Sequence, residues 1–180
     1  MKTLKINLVI LLALISFVSC KQENKQGAEM QSPEEVTQEE KEVTAMADTK
    51  FTDGMTGKAW ADYLHLKNAL VQTDATEASK ASAALAESFD SDHQNLKDLA
   101  TALANTEDVE KQRETFSELT AGLEDVFKVG LENGTIYQQY CPMAFNNEGG
   151  YWFSDVAEIR NPYFGDKMLK CGKVTETISK

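Results

Sequence analysis

The sequence contains few of the residues on which most enzyme active sites depend. Its 180 residues include only two histidines and three cysteines, and no two cysteines form the Cys-x-x-Cys pair of thioredoxin-like oxidoreductases. The sequence also lacks the nucleophile elbow of serine hydrolases and the glycine-rich loop that binds phosphates. We therefore expect a protein that is not an enzyme.

Basic residues are scarce as well. The sequence has 18 Lys and Arg against 29 Asp and Glu, which gives a net charge of −11 at pH 7. A surface with this excess of negative charge repels the phosphate backbone of nucleic acids, so we exclude nucleic acid as a partner. The acidic residues themselves are expected to form solvated helix faces.

The first 19 residues predict export from the cytoplasm. Two lysines precede a mostly apolar run at residues 6–17, which is the pattern of a secretory signal and is too short to span a membrane. Ser19 followed by Cys20 resembles the lipobox of bacterial lipoproteins, in which the chain is cut before the cysteine and its sulfur receives a diacylglycerol. The resemblance implies a lipid anchor at Cys20; without lipidation, the protein is secreted with a free thiol at that position. Cleavage removes two lysines and no acid, so the net charge falls from −11 to −13.

Residues 20–50 are expected to form a disordered tether. They are acidic and polar and contain no aromatic residue, so they cannot bury enough apolar area to offset the entropy lost on ordering. The predicted organisation has three parts: a lipoprotein signal peptide at 1–19, the lipidated cysteine and tether at 20–50, and one folded domain at 51–180. We expect the lipid to hold this domain at the bacterial cell envelope, facing the periplasm or the cell surface.

Apolar residues recur at helical spacing in four stretches between residues 60 and 131. The second helix is expected to begin after a cap at Asp74, and the fourth after a cap at Thr106. The fourth helix carries the longest apolar stripe and is expected to stop at Gly134, or one turn sooner at Gly130. Four antiparallel helices with short connections predict an up-down bundle.

After residue 134 the sequence becomes rich in turns and aromatic residues. A turn at 146–150, between residues 141–145 and 151–154, predicts a short hairpin. Arg113 lies on the apolar stripe of the fourth helix, where it either snorkels at the rim of the core or pairs with a carboxylate. The alternative is that it anchors the C-terminal segment by bonding its carbonyls. The predicted fold is mainly α, an up-down four-helix bundle with a turn-rich C-terminal segment that contains a short β-hairpin and packs on the helices.

Three motifs in the C-terminal segment resemble those of one bacterial family. They are Tyr-Cys-Pro-Met-Ala-Phe at 140–145, Trp-Phe-Ser at 152–154 and Ile-Arg-Asn-Pro-Tyr-Phe-Gly-Asp-Lys-Met-Leu-Lys-Cys-Gly at 159–172. On these motifs the chain is similar to an uncharacterised helical domain that occurs in small exported lipoproteins and fused to periplasmic adaptors of copper and silver efflux pumps. The resemblance implies a link to heavy metals and, as a partner, a heavy-metal efflux adaptor.

The candidate site consists of Cys141 and Cys171 with Met143 and Met168. Thiolate and thioether ligands are soft, and they select Cu(I) or Ag(I) over harder cations. Alternate residues of an extended segment point to the same side, which favours a joint role for Cys141 and Met143. His93, at the start of the third helix, is a further candidate ligand. These residues predict a soft-metal site that sequesters the ion or delivers it to efflux.

The same two cysteines can instead form a disulfide, because an exported protein lies in an oxidising compartment. Closing a loop of about 31 residues would stabilise the fold by roughly 3.5 kcal/mol in the chain-entropy model. In this hypothesis the methionines fill gaps in the core, and the protein is a stapled interaction module that binds no metal. A partner such as an efflux adaptor would then bind a cluster of aromatic residues, namely Tyr151, Trp152, Phe153, Tyr163 and Phe164. The sequence leaves both hypotheses open.

Overall fold

The computed structural model describes residues 49–180, so the predicted signal peptide, Cys20 and nearly all of the tether lie outside the described residues. The long helices are α1 (Gly54–Val71), α2 (Ala75–Ser88), α3 (Gln94–Ala104) and α4 (Val109–Gly130). The strands are β1 (Lys50–Phe51), β2 (Leu131–Asn133), β3 (Thr135–Cys141), β4 (Gly150–Ser154) and β5 (Lys173–Ser179). Across residues 49–180, none of the helices combines the length and the apolar character that crossing a membrane requires.

Aspartate side chains cap three of the four long helices. The carboxylate of Asp53 accepts a hydrogen bond from a first-turn amide of α1 at 2.7 Å, and Asp74 does the same for α2 at 2.9 Å. The cap of α4 is Asp108, which accepts from two amides, and not the predicted Thr106. The hydroxyl of Thr106 instead accepts from the amide of Asp108 and so orients the residue that forms the cap.

The helices pack on one another in chain order: α1 contacts α2, α2 contacts α3, and α3 contacts α4. Helix α4 also contacts α1, and both helices contribute apolar residues to one core. Ala78 and Ala81 are buried on α2, where their small side chains let a neighbouring helix approach closely. The protein is therefore mainly helical, as its sequence predicts, and the up-down order of the four helices stays a prediction.

The C-terminal segment forms a three-stranded antiparallel sheet in the order β4-β3-β5. The predicted hairpin is present, but its first strand is Thr135–Cys141, and Cys141 pairs with Gly150. The prediction of a strand at 141–145 was therefore wrong beyond Cys141, because Ala144–Asn147 form a short helical turn. In this turn Phe145 and Asn146 have φ values of 50° and 57°, a left-handed conformation that a β-strand does not adopt.

Two further strand pairings were not predicted. Strand β5 pairs with β3 along its length, and β1 pairs with β2 immediately after α4. Helix α4 therefore ends at Gly130, the earlier of the two expected positions, because the next three residues are used in the β2 strand. The strands and helices share one core through Phe127, whose ring contacts Trp60 at 5.0 Å and Phe153 at 5.8 Å between centroids.

Candidate functional site

The two cysteines of the described region lie side by side. Their Sγ atoms are 3.2 Å apart, and neither is in a disulfide. A disulfide requires about 2.05 Å between the sulfurs. Two thiolates on a tetrahedral metal, with bonds of about 2.3 Å, lie about 3.8 Å apart. The observed separation lies between these two values, so small side-chain movements convert the pair into either form.

Strand β3 fixes the position of Cys141. Residues 137, 139 and 141 lie on one face of the strand, because successive side chains alternate between the faces. Cys141 is fully buried there, directly opposite Gly150 on β4. A Cβ atom at Gly150 would lie 2.6 Å from the ring of Tyr163 and 3.1 Å from that of Phe145. The glycine therefore makes room for the two aromatic rings that close over this end of the hairpin.

Cys171 is carried by a loop, residues 155–172, and Asn161 connects the two parts of that loop. The buried Asn161 donates from Nδ2 to the carbonyl oxygen of Cys171 at 2.8 Å. Its Oδ1 accepts from the backbone amide of Tyr163 at 2.8 Å, and the backbone amide of Asn161 donates to the carbonyl of Leu169 at 2.9 Å. The backbone of Cys171 is therefore held by hydrogen bonds, although the loop has almost no regular structure.

Two further buried side chains attach this loop to the rest of the domain. The amide of Gln139 on β3 donates to the carbonyls of Val156 and Glu158 at 2.9 and 3.2 Å. The guanidinium of Arg113 on α4 donates to the carbonyl of Pro162 at 2.9 Å. These bonds fix the loop against both the sheet and the helices.

Arg113 also connects the loop to α1. Its Nη2 donates to the carbonyl of Leu70 and to the hydroxyl of Thr73, and its Nη1 donates to the carboxylate of Glu110 at 2.8 Å. The predicted carboxylate pair and the predicted bond to a carbonyl of the C-terminal segment are therefore both confirmed, whereas Arg113 is buried and does not snorkel at the rim of the core. Together these bonds use all three nitrogens of one buried guanidinium.

The structure does not bring His93 to the thiols. His93 lies before α3, where its Nδ1 is 2.8 Å from a carboxylate oxygen of Asp90. The imidazole ring of His93 also lies near the ring of Phe89, the residue that follows α2, at 6.4 Å between centroids. Within residues 49–180, no group of three His, Cys, Asp or Glu side chains is arranged to hold a metal ion.

The two methionines are placed differently from each other. Met143 lies two residues after the end of β3 and is 47% exposed, whereas Met168 is half-buried in the turn that leads to Cys171. The amide of Cys171 donates to the carbonyl of Met168 at 3.0 Å, so these two residues share one turn. Met168 thus lies in the same turn as one thiol, and Met143 lies two residues after the other.

Most of the predicted aromatic docking cluster is in the core. Trp152 and Phe153 are fully buried and Tyr163 is almost so, whereas Tyr151 is 47% exposed and Phe164 is half-buried. The physical reason is that β4 is covered on both faces. Phe153 contacts Phe127 of α4, and Trp152 packs against Tyr163 of the loop at 5.9 Å between ring centroids. Three of the five aromatic residues therefore stabilise the fold and do not form an exposed surface.

The electrostatics of the thiol pair follow from its geometry. The hydrogen bond with Cys141, together with partial burial, raises the pKa of the Cys171 thiol. Burial likewise raises the pKa of Tyr63 and of Tyr163. Cys171 is therefore protonated at neutral pH, and it releases its proton when the thiol is oxidised or binds a metal ion.

A buried ion pair lies at the C-terminal end of β4. The ammonium of Lys67 on α1 is 3.7 Å from the carboxylate of Asp155 and 3.3 Å from the hydroxyl of Ser154, and the Lys67 and Asp155 side chains are 1% and 3% exposed. Sequence reasoning missed both this pair and Asn161. Lys67 has a detectable signal, because it falls four residues after Tyr63 and three before Leu70 on the apolar stripe of α1.

Comparison with known proteins finds one family model that matches the helical region. Residues 59–134 match the model described as "Protein of unknown function (DUF3347)". The match extends from α1 to the turn after β2 and does not include either cysteine of the thiol pair. Searches of curated proteins and of solved structures found no significant match. The matched residues are mainly helical, which agrees with the resemblance to an uncharacterised helical domain.

Proposed function

We propose that the protein is an exported lipoprotein that binds a soft metal ion, Cu(I) or Ag(I), through Cys141 and Cys171. The observation that supports the proposal is the contact between the two thiols at 3.2 Å, made by residues thirty positions apart. Three sulfurs around one metal ion, with bonds of about 2.3 Å, lie about 4.0 Å apart, so the two thiols need to open by about 0.8 Å. Two thiolates form a soft donor pair that prefers Cu(I) to harder cations.

The surroundings of the pair suit a reduced metal ion. Cys141 is fully buried, and the ring of Trp152 lies against Gly172, next to Cys171. Apolar cover of this kind limits the access of water to the ion. A thioether of Met143 or Met168 supplies a third ligand, since each lies close in sequence to one of the thiols.

The proposed role is to sequester the metal or to deliver it to efflux, without catalysis. Lipid on Cys20 would hold the folded domain at the envelope membrane through the intervening tether. A periplasmic adaptor of a heavy-metal efflux pump is the proposed partner. The up-down bundle would then serve as the support on which the C-terminal loop presents the thiol pair.

The second candidate function is a disulfide-stapled interaction module that binds no metal. The same sulfur contact favours it, because an oxidising compartment drives two adjacent thiols toward a disulfide. Such a bond would tie the loop to β3 and leave Tyr151 and Phe164 as the accessible aromatic residues for a partner. The two functions exclude each other at any moment, because a disulfide has no thiolate to bind a metal.

Anaerobic titration with Cu(I) against a competing chelator distinguishes the two functions. The titration uses a variant that comprises residues 20–180 and carries Cys20→Ser, so that Cys141 and Cys171 are its only thiols. Thiols are counted with and without reductant before each titration. We expect the reduced protein to bind one equivalent of Cu(I), and Cys141→Ser or Cys171→Ser to abolish this binding.

Methionine variants identify the third ligand. Met143→Leu and Met168→Leu are compared with Met55→Leu, a control at the start of α1. Weaker binding in only one of the first two variants assigns the thioether. A reduced wild-type protein that binds no Cu(I), and that forms a persistent disulfide in air, would contradict the metal function and favour the stapled module.

A further inference from the structure

The loop that carries Cys171 has to place a thiol accurately with little help from regular structure. Within residues 155–172, the assigned secondary structure is one 3-10 turn, Gly165–Lys167. Three buried side chains donate hydrogen bonds to backbone carbonyls of this loop: Gln139, Arg113 and Asn161. The position of the second thiol therefore depends on side-chain donors.

Asn161 differs from the other two donors because its partner is the carbonyl of Cys171 itself. Asn161 also bonds Tyr163 through its side chain and Leu169 through its backbone amide. In addition, its backbone carbonyl accepts from the amide of Gly165 at 3.0 Å. Its side chain and backbone thus connect Cys171 to the first half of the loop. The bond to the Cys171 carbonyl spans ten residues, so it closes the part of the loop that precedes the thiol.

The residues beside Asn161 restrict its own movement. Pro162 follows it, and a residue before proline is confined to extended conformations. Arg113 then holds the carbonyl of Pro162 to α4. On the other side of Cys171, Gly172 has φ of +146°, and a Cβ there would lie 2.9 Å from the ring of Trp152. Cys171 is consequently held from both directions along the chain.

We infer that Asn161 is the positioning residue of the thiol pair: its side-chain amide fixes the backbone of Cys171 so that the two sulfurs stay in contact. Fixing one reactive group beside another raises its effective concentration, which favours every product that joins the two. Disulfide formation and metal chelation by the pair both benefit. For metal binding, the inference rests on the proposed function and deepens it. For disulfide formation, it holds whether or not the protein binds a metal.

Asn161→Asp tests this role with almost no change of shape. The aspartate keeps Oδ1 for the amide of Tyr163, loses the donor to Cys171 and places a carboxylate oxygen against the Cys171 carbonyl. The protein, residues 20–180 with Cys20→Ser, is equilibrated with glutathione. Each protein disulfide formed reduces one glutathione disulfide to two glutathione thiols, so two electrons and two protons pass between the partners. We expect the equilibrium constant for disulfide formation to fall about tenfold, which corresponds to a rise of about 30 mV in reduction potential.

The control is Leu96→Val, which weakens the core on α3, a helix that packs on α2 and α4. A purely structural residue changes the stability of the fold but leaves the thiol equilibrium of the folded protein unchanged, so Leu96→Val should match the wild type. Circular dichroism checks that each variant is folded. If Asn161→Asp fails to fold, Asn161→Ser replaces it, because serine is too short to reach the Cys171 carbonyl.

The second arm measures Cu(I) affinity of the same variants. We expect Asn161→Asp to weaken Cu(I) binding about tenfold, since the chelate effect depends on the same positioning. A folded Asn161→Asp protein with the thiol equilibrium of Leu96→Val overturns the inference. A shifted equilibrium in Asn161→Asp, with no Cu(I) binding by the wild type, upholds the role of Asn161 and overturns the proposed metal function.

Discussion

The helical region and the C-terminal loop are stabilised by different kinds of interaction. Helices α1 to α4 pack through apolar side chains at helical spacing, and the core they share tolerates changes of shape among such residues. Residues 155–172 are instead held by donors on Arg113, Gln139 and Asn161. Removing a buried donor leaves its acceptors without partners, which costs more than the net value of the bond. The loop should therefore be the part of the molecule most sensitive to single polar substitutions.

The largest effect is expected from Arg113→Met. This substitution keeps an apolar side chain in the core, but it leaves the carbonyl of Pro162 without its donor and removes one of the donors to the carbonyl of Leu70. A hydrogen bond from a charged donor contributes about 1.5–3 kcal/mol, and two such bonds to buried carbonyls are lost, so we expect the free energy of unfolding to fall by about 3–6 kcal/mol. Urea denaturation monitored by circular dichroism measures it.

Lys111→Met on the same helix is the matched control. The Lys111 side chain is 70% exposed and pairs with Asp108 at 3.6 Å, so its loss should change the free energy of unfolding by under about 0.5 kcal/mol. Equal losses of stability for the two substitutions would show that the buried bonds of Arg113 stabilise the protein no more than an exposed ion pair on the helix surface does.

A smaller effect is expected from Tyr63→Phe, at the contact between helix and sheet. The hydroxyl of Tyr63 accepts from the amide of Phe153 at 3.0 Å and bonds the hydroxyl of Thr120 at 2.9 Å. Without it, an amide on the outer edge of β4 stays buried and unpaired, at a cost of about 1–3 kcal/mol. Tyr151→Phe, at a half-exposed ring on the same strand, should be close to neutral in the same urea experiment. If Tyr151→Phe lowered the free energy of unfolding as much as Tyr63→Phe does, the bond from the Phe153 amide to the Tyr63 hydroxyl would not be the source of the loss.

The same difference between the two regions explains what could be predicted from the sequence. Helices depend on contacts three or four residues apart, so periodic apolar residues and the cap at Asp74 were enough to locate them. Strand β5 pairs with β3, whose residues lie more than 30 positions away, and only Val174 and Ile178 give it an apolar pattern. A pairing of this kind leaves too weak a local signal to be predicted.

The candidate site divides in the same way. The sequence could name Cys141 and Cys171 as the reactive pair, because soft ligands in a turn-rich segment are recognisable by type. Their contact and the role of Asn161 depend on bonds that close the loop in three dimensions. The burial of Trp152 and Phe153 was mispredicted because a sheet covered on both faces buries consecutive residues, which a short aromatic run does not reveal.

Two glycine substitutions sharpen the comparison further. Gly172→Ala places a Cβ 2.9 Å from the ring of Trp152 at a residue with φ of +146°, and we expect a loss of about 1–3 kcal/mol. Gly57→Ala meets nothing within 4 Å in α1, so it should stabilise the protein by up to about 1 kcal/mol through the higher helix propensity of alanine. Thermal unfolding of the two variants should give shifts of opposite sign. Shifts of the same sign would mean that the loop backbone relaxes as readily as the helix.

The smallest effect concerns the titration of Asp53 at the start of α1. Hydrogen bonds from the amide and the hydroxyl of Thr56 hold the pKa of Asp53 below 3.8. The folded state therefore binds a proton less readily than the unfolded state. The contribution of this cap to stability is full above pH 3.8 and is lost as the pH falls through the lower pKa of the folded protein.

Asp53→Asn keeps an acceptor but does not titrate, so its free energy of unfolding should fall less steeply than that of the wild type between about pH 5 and pH 2. The difference should stay under about 1 kcal/mol, because the carboxylate is exposed. Urea unfolding at a series of pH values measures both slopes, and equal slopes would remove Asp53 as a source of acid sensitivity. Asn161 and Gln139 carry no charge at any of these pH values, so acid acting through this cap should weaken the start of α1 while their bonds to the loop persist.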